Sequence, residues 1–168
     1  MEDIKENFSR VYDTYITRIY RFVYLKVSSQ EVAEDLSSEV FTRVWEVYRR
    51  ETVIEHPQAY LYRVARTVVA DYYRGQKVQI SSIEEISQEP LDPAVSLDYE
   101  AEVKLEIDRI LKVVKALQSD YQDLIIWRYI DELSVPEIAQ ITGKKEENVR
   151  VGIHRALQAL KAQMPEKV

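Results

Sequence analysis

Apolar residues recur at intervals of three and four through most of this chain, a spacing that predicts helices and no strands. Over 3–27, Phe8, Tyr12, Tyr15, Ile16, Ile19, Tyr20 and Val23 fall on one broad face. A serine cap opens a second helix, 29–49, which turns Val32, Leu36, Val40, Val44 and Tyr48 inward with Phe41 and Trp45 alongside. Residues 50–56 lead to Pro57, favoured in a first helical turn because its missing N–H would have had no partner there. The helix it starts, 57–76, carries Tyr60, Leu61, Val64, Ala65, Val68 and Tyr72. Further on, 99–118 presents Val103, Ile107, Ile110, Leu111, Val114 and Leu117, and 120–131 directs Leu124, Ile125 and Tyr129 inward.

Residues 133–160, LSVPEIAQITGKKEENVRVGIHRALQAL, have the pattern of a helix-turn-helix. Ser134 and Glu137 hold the spacing of a capping box, in which each side chain satisfies a free backbone N–H at a helix start. Ile138, Ala139 and Ile141 give a short apolar face, and Gly143 can take the left-handed conformation that stops the helix. In the helix that follows, Val149, Ile153, Ala156, Leu157 and Leu160 share one side. Glu147, Arg150, Val151 and His154 are left on the other, near the end that enters the DNA major groove in such motifs. A helical hairpin that binds no nucleic acid would show the same periodicity.

Between these halves, QISSIEEISQEPLDPAVSLD (79–98) holds two prolines, four serines and no helical stripe. The expected organisation is therefore all-α, with two small helical domains, 1–78 and 99–168, joined by a flexible linker. Gly is scarce (3 residues) and cysteine absent, which removes disulfides and thiolate metal sites. The polar start MEDIKENFSR and the lack of a long apolar run imply a cytoplasmic protein without membrane insertion.

A formal net charge of −6 speaks against a nucleic-acid partner, whose phosphates need cations. Its distribution weakens the objection, because 79–98 holds five acids and no base. Two stretches turn basic: 63–77, with Arg63, Arg66, Arg74 and Lys77 against Asp71, and 144–161, with Lys144, Lys145, Arg150, Arg155 and Lys161 against Glu146 and Glu147. Glu31, Glu34, Asp35 and Glu39 lack a histidine in register, so they read as a solvated or docking edge with no metal. His56 and His154 form no pair, and no phosphate loop or nucleophile elbow is present. Neither catalytic residues nor a cofactor are expected.

The ordered combination of AEDLSSEVFTRVWE (33–46), AYLYRVARTVVADYYR (59–74) and the stretch 117–161 resembles the extracytoplasmic-function sigma factors of bacterial RNA polymerase. The resemblance covers essentially the whole chain and implies a non-enzymatic factor that takes core polymerase to promoter DNA. Region 2 (1–78) would dock on the coiled coil of the largest polymerase subunit through Asp35, Leu36, Glu39, Phe41 and Arg43. Loop 50–57 and helix 57–76 would capture and melt the −10 element with Tyr62, Arg63, Arg66, Thr67 and Arg74. Region 4 (99–168) would lie by the polymerase flap and read the −35 element with Lys145, Asn148, Arg150, Val151, His154 and Arg155. The linker would thread toward the RNA exit path, and an anti-sigma protein is a further implied partner.

The residues agree in part, since melted strands are held by aromatic platforms beside cations. Tyr62, Arg63 and Arg66 are expected to face outward in that role, and Tyr60 and Tyr72 to join the core. Four departures bear on promoter choice. Thr67 stands where the family often has Asn, and Ser38 where Gln is usual. Asn148-Val149-Arg150-Val151-Gly152 replaces a common Thr-Val-Lys-Ser-Arg, with Gly152 removing a phosphate-binding side chain and costing about 1 kcal/mol of helix stability. Lys144 takes a turn position normally apolar. On residues alone, a stand-alone helix-turn-helix regulator and a helical adaptor remain beside the sigma reading.

Overall fold

The computed structural model describes residues 3–79 and 101–164, all of whose regular elements are helical. The chain divides into two compact units, Met1–Pro90 and Leu91–Val168. Apart from Gln79, which closes a helix, the expected linker 79–98 lies outside the described residues, as do the side chains of Lys77, Val103 and Ile107.

The N-terminal unit is built from α1 (Ile4–Val27), α2 (Gln30–Arg49) and α3 (Pro57–Gln79), each packed on the other two. The joint between α1 and α2 is two residues long. Ser28 takes a left-handed φ of 56° to cap α1, and the Ser29 hydroxyl accepts from the Val32 N–H at 3.3 Å to start α2. Val40, Val44, Leu36 and Tyr48 are buried along α2 as expected. Aromatic pairs fasten this helix to α1: Phe8 lies 5.1 Å from Trp45, and Tyr12 lies 4.8 Å from Phe41 at a T-shaped angle. The buried face of α1 is rotated from expectation, with Val11, Phe22 and Tyr24 inside and Tyr12 exposed. A helix facing two neighbours buries more than one stripe, so Ile19 and Val23 of the expected face are buried together with residues outside it.

The C-terminal unit contains α4 (Ala101–Ala116), α5 (Ser119–Ile125), a π-helical turn (Ile126–Ile130), α6 (Val135–Thr142) and α7 (Glu146–Gln163). The π turn corrects one expectation. Its extra residue, marked by the Asp131 N–H reaching the Ile126 carbonyl at 2.8 Å, shifts the register so that Ile126 and Trp127 are buried. Tyr129, expected inward, is 50% exposed. The capping box forms as expected, Ser134 N–H to Glu137 at 3.0 Å and Glu137 N–H to the Ser134 hydroxyl at 3.2 Å. Ser134→Ala should therefore cost about 0.5–2 kcal/mol, read as a lower denaturation midpoint in the fluorescence of Trp127 in this unit.

Candidate nucleic-acid interface

The segment from α6 to α7 is built from its ends inward. Gly143 ends α6 at φ 70°, its N–H bonded to the Ala139 carbonyl at 2.8 Å, and Thr142 offers its hydroxyl oxygen to the Lys144 N–H at 3.3 Å. The backbone and Thr142 thus close the turn, and Lys144 stays exposed. Val149, Ile153 and Ala156 then bury one side of α7 against α5 and α6. The six residues expected to read DNA, Lys145, Asn148, Arg150, Val151, His154 and Arg155, are all exposed, Val151 by 43%. A convex row of this kind offers Arg150 as a donor to a base edge or phosphate and Val151 as an apolar contact for a thymine methyl.

Gly152 has a different role from the one its position implies. A Cβ there would stand 3.0 Å from Leu124 Cδ1, so the glycine lies on the side of α7 that meets α5. It is a close-packing residue, and any larger side chain requires Leu124 to give way by a few tenths of an ångström. The signal was available only from the fold, since nothing local marks Leu124 as its neighbour.

On α3, Arg63, Thr67, Ala70 and Arg74 are exposed and recur at three and four residues, which makes them one continuous stripe. Arg66 is half-buried at its border. The Thr67 hydroxyl donates to the Arg63 carbonyl at 3.1 Å, which leaves its oxygen as an acceptor for an incoming group. Tyr62 does not belong to this surface. It is 0% exposed and its ring meets Phe22 of α1 at 5.5 Å, because the inward face of α3 is centred on Ala65 and takes in Tyr62 and Val69 as well as Leu61 and Val68. Tyr60 and Tyr72, expected in the core, are half-buried at its margins. Tyr73 pins the C-terminal part of α3 to α1 by donating its hydroxyl to the Lys26 carbonyl, and burial raises its phenol above the ordinary range.

The expected docking edge on α2 divides in the same way. Asp35, Glu39 and Arg43 are exposed, and Arg43 pairs with Glu39 one turn away. Leu36 (8% exposed) and Phe41 (4%) are core residues that hold α2 against its neighbours, Phe41 being also among the residues that line the groove beside the edge. Beside the edge runs a groove of about 500 Å³ between α1 and α2, with Phe8, Tyr12, Ile16 and Trp45 in its walls and Glu34 and Ser38 among its polar lining. Sequence periodicity assigned those aromatics wholly to the core, so the groove was not foreseen. Among the described residues no group of histidine, cysteine and acidic side chains is arranged to hold a metal, and no helix is long and apolar enough to cross a membrane.

Comparison with known proteins agrees with the two-unit arrangement of helices. The family model for sigma-70 region 2 matches residues 11–78 and that for sigma-70 region 4 matches 107–160. The ECF RNA polymerase sigma factor BldN of Streptomyces coelicolor is 28% identical over 95% of this chain, which spans 61% of that protein's length. SigW of Bacillus subtilis is 29% identical, with 95% of this chain and 90% of the relative covered. Among solved structures, the sigma factor RpoE in complex with the anti-sigma factor NepR from Bartonella quintana shares the fold at a TM-score of 0.70 and 20% identity, covering 94% of this chain and 96% of that one. CnrH, solved with the cytosolic domain of CnrY, has a TM-score of 0.65 at 17% identity, covering 94% and 87%. With both regions matched in order and curated relatives aligned over nearly its full length, the chain belongs to the sigma-70 family and is a promoter-specific RNA polymerase sigma factor of the extracytoplasmic-function group.

Proposed function

We propose that the two units divide promoter recognition between them, residues 1–78 serving the −10 element and residues 99–168 the −35 element, with 79–98 as the tether. The outward row on α7 supports a direct reading of the −35 duplex by Lys145, Asn148, Arg150, Val151, His154 and Arg155. The α3 stripe of Arg63, Thr67 and Arg74, with Arg66 at its border and the loop 50–56 before it, would hold the melted −10 strand. Asp35 and Glu39 on α2, with Arg43 beside them, would form the edge that docks on the coiled coil of the largest polymerase subunit, and the C-terminal unit would dock on the flap. The protein would work in the cytoplasm as a non-catalytic factor. An anti-sigma protein is a further proposed partner, since RpoE is solved with the anti-sigma factor NepR and CnrH with the cytosolic domain of CnrY.

The observation that carries this reading is the separation of faces on α7, where apolar residues hold the helix and polar ones project from it. Reconstitution tests it. Added to bacterial core polymerase, the chain should support run-off transcription from its own promoter, and neither component should do so alone. A chain that binds promoter duplex but not core polymerase would instead be a stand-alone regulator. Within the holoenzyme, Arg150→Ala should cost about 1–3 kcal/mol of promoter binding, with relaxed preference at one position if Arg150 reads a base edge. A binding selection that returns unchanged affinity and preference would remove Arg150 from the interface.

A further inference from the structure

The charged side chains between α2 and α3 alternate in sign. Arg43 Nη2 lies 2.5 Å from Glu39 Oε1, and the same nitrogen is 3.7 Å from Asp71 Oδ2. The other oxygen of that carboxylate, Asp71 Oδ1, lies 3.3 Å from Arg74 Nη2. The row therefore runs Glu39, Arg43, Asp71, Arg74, from the exposed edge of one helix to the exposed stripe of the other. Its distances are unequal in an informative way. Arg43 is engaged mainly by Glu39 and only loosely by Asp71, which leaves Asp71 nearer to Arg74. We infer that Asp71 is a positioning residue that restrains Arg74 in the free protein and releases it when a cation from a docking partner takes Glu39.

The direction follows from the alternation of charge. A partner cation on Glu39 weakens its hold on Arg43. Arg43 then moves onto Asp71, and the Asp71 carboxylate is drawn away from Arg74. The freed guanidinium can bond a phosphate of a captured strand, with less repulsion from the carboxylate beside it. Docking at one helix thereby strengthens nucleic-acid capture at the other, with no movement larger than side-chain rotations. Exposed pairs of this kind are individually weak and salt-sensitive, so the row biases Arg74 and does not lock it. The inference rests on the proposed roles of α2 and α3, and it gives the modest basic face of α3 a reason to act mainly in the assembled polymerase.

The test uses the full chain and a short fluorescein-labelled single-stranded oligonucleotide at low salt. Asp71→Asn should tighten binding roughly threefold and Glu39→Gln about twofold, in the range of exposed ion pairs. The double variant should bind no more tightly than Asp71→Asn alone, because the effect of Glu39 passes through Asp71. Two acids acting independently through the general field would add, and an additive double variant overturns the inference. Arg74→Ala separates the two readings: if it leaves oligonucleotide binding unchanged, the α3 interface itself is wrong. The side-chain Hε–Nε resonances of the arginines supply a readout without DNA. Glu39→Gln should move the Arg74 signal in the wild-type background and not in Asp71→Asn; an Arg74 signal that ignores Glu39 overturns the coupling.

Discussion

Tyr62→Ala is expected to cost the N-terminal unit about 3–5 kcal/mol. The ring is fully enclosed and meets Phe22 edge-on, with planes 79° apart, where α3 crosses α1. Removing it opens a cavity between two helices that are both held by neighbours, so the space cannot collapse without displacing them. Tyr62→Phe keeps the ring and should lose no more than about 1.5 kcal/mol, the net worth of a typical hydrogen bond. The chain's two tryptophans divide between its units, Trp45 on α2 and Trp127 in the π turn, so the loss can be located. Denaturation followed in single-tryptophan variants should show the Trp45 transition shifted and the Trp127 transition in place. A Tyr62→Ala chain of normal stability that fails to hold single-stranded DNA would return Tyr62 to the nucleic-acid surface.

The second large effect concerns assembly. Replacing Asp35 and Glu39 together with alanine should weaken binding to core polymerase by about 1–3 kcal/mol, or roughly 5- to 150-fold, because both carboxylates are exposed on one edge where partner cations can reach them. Duplex recognition by α7 belongs to the other unit and should be unchanged. Leu36→Ala and Phe41→Ala provide the contrast: they should lower the stability of the N-terminal unit, with core affinity falling only in proportion to the unfolded fraction. Full core affinity in the Asp35/Glu39 double variant would move the docking surface away from this edge.

These expectations divide along the range of the interactions involved. The helix-turn-helix was legible because its determinants are local: Ser134 and Glu137 three residues apart, Gly143 at a helix end, and a row of apolar side chains on one short helix. The split of α2 into exposed Asp35, Glu39 and Arg43 and buried Val40 and Val44 also follows from helical spacing alone. Leu36 and Phe41 were recognised as apolar and inward by the same spacing. Only their assignment to a docking edge, which came from resemblance, conflicted with it.

The remaining features depend on residues far apart in the chain. Tyr62 is inside because α3 faces α1 as well as α2, which widens its buried face beyond one stripe. Tyr129 is outside because a π turn adds a residue to the repeat that periodicity assumes constant. Gly152 is a close-packing residue because Leu124 of another helix would stand 3.0 Å from a Cβ there, and Asp71 gains its two arginines from separate turns of two helices. Helices, the caps at Ser29, Ser134 and Gly143, and the outward row of α7 were readable from residue order, since each is settled within a few turns of backbone. Which faces meet, and therefore which tyrosine is buried and which carboxylate lies between two arginines, depends on how the folded helices pack, because packing is a relation between surfaces that local spacing does not specify.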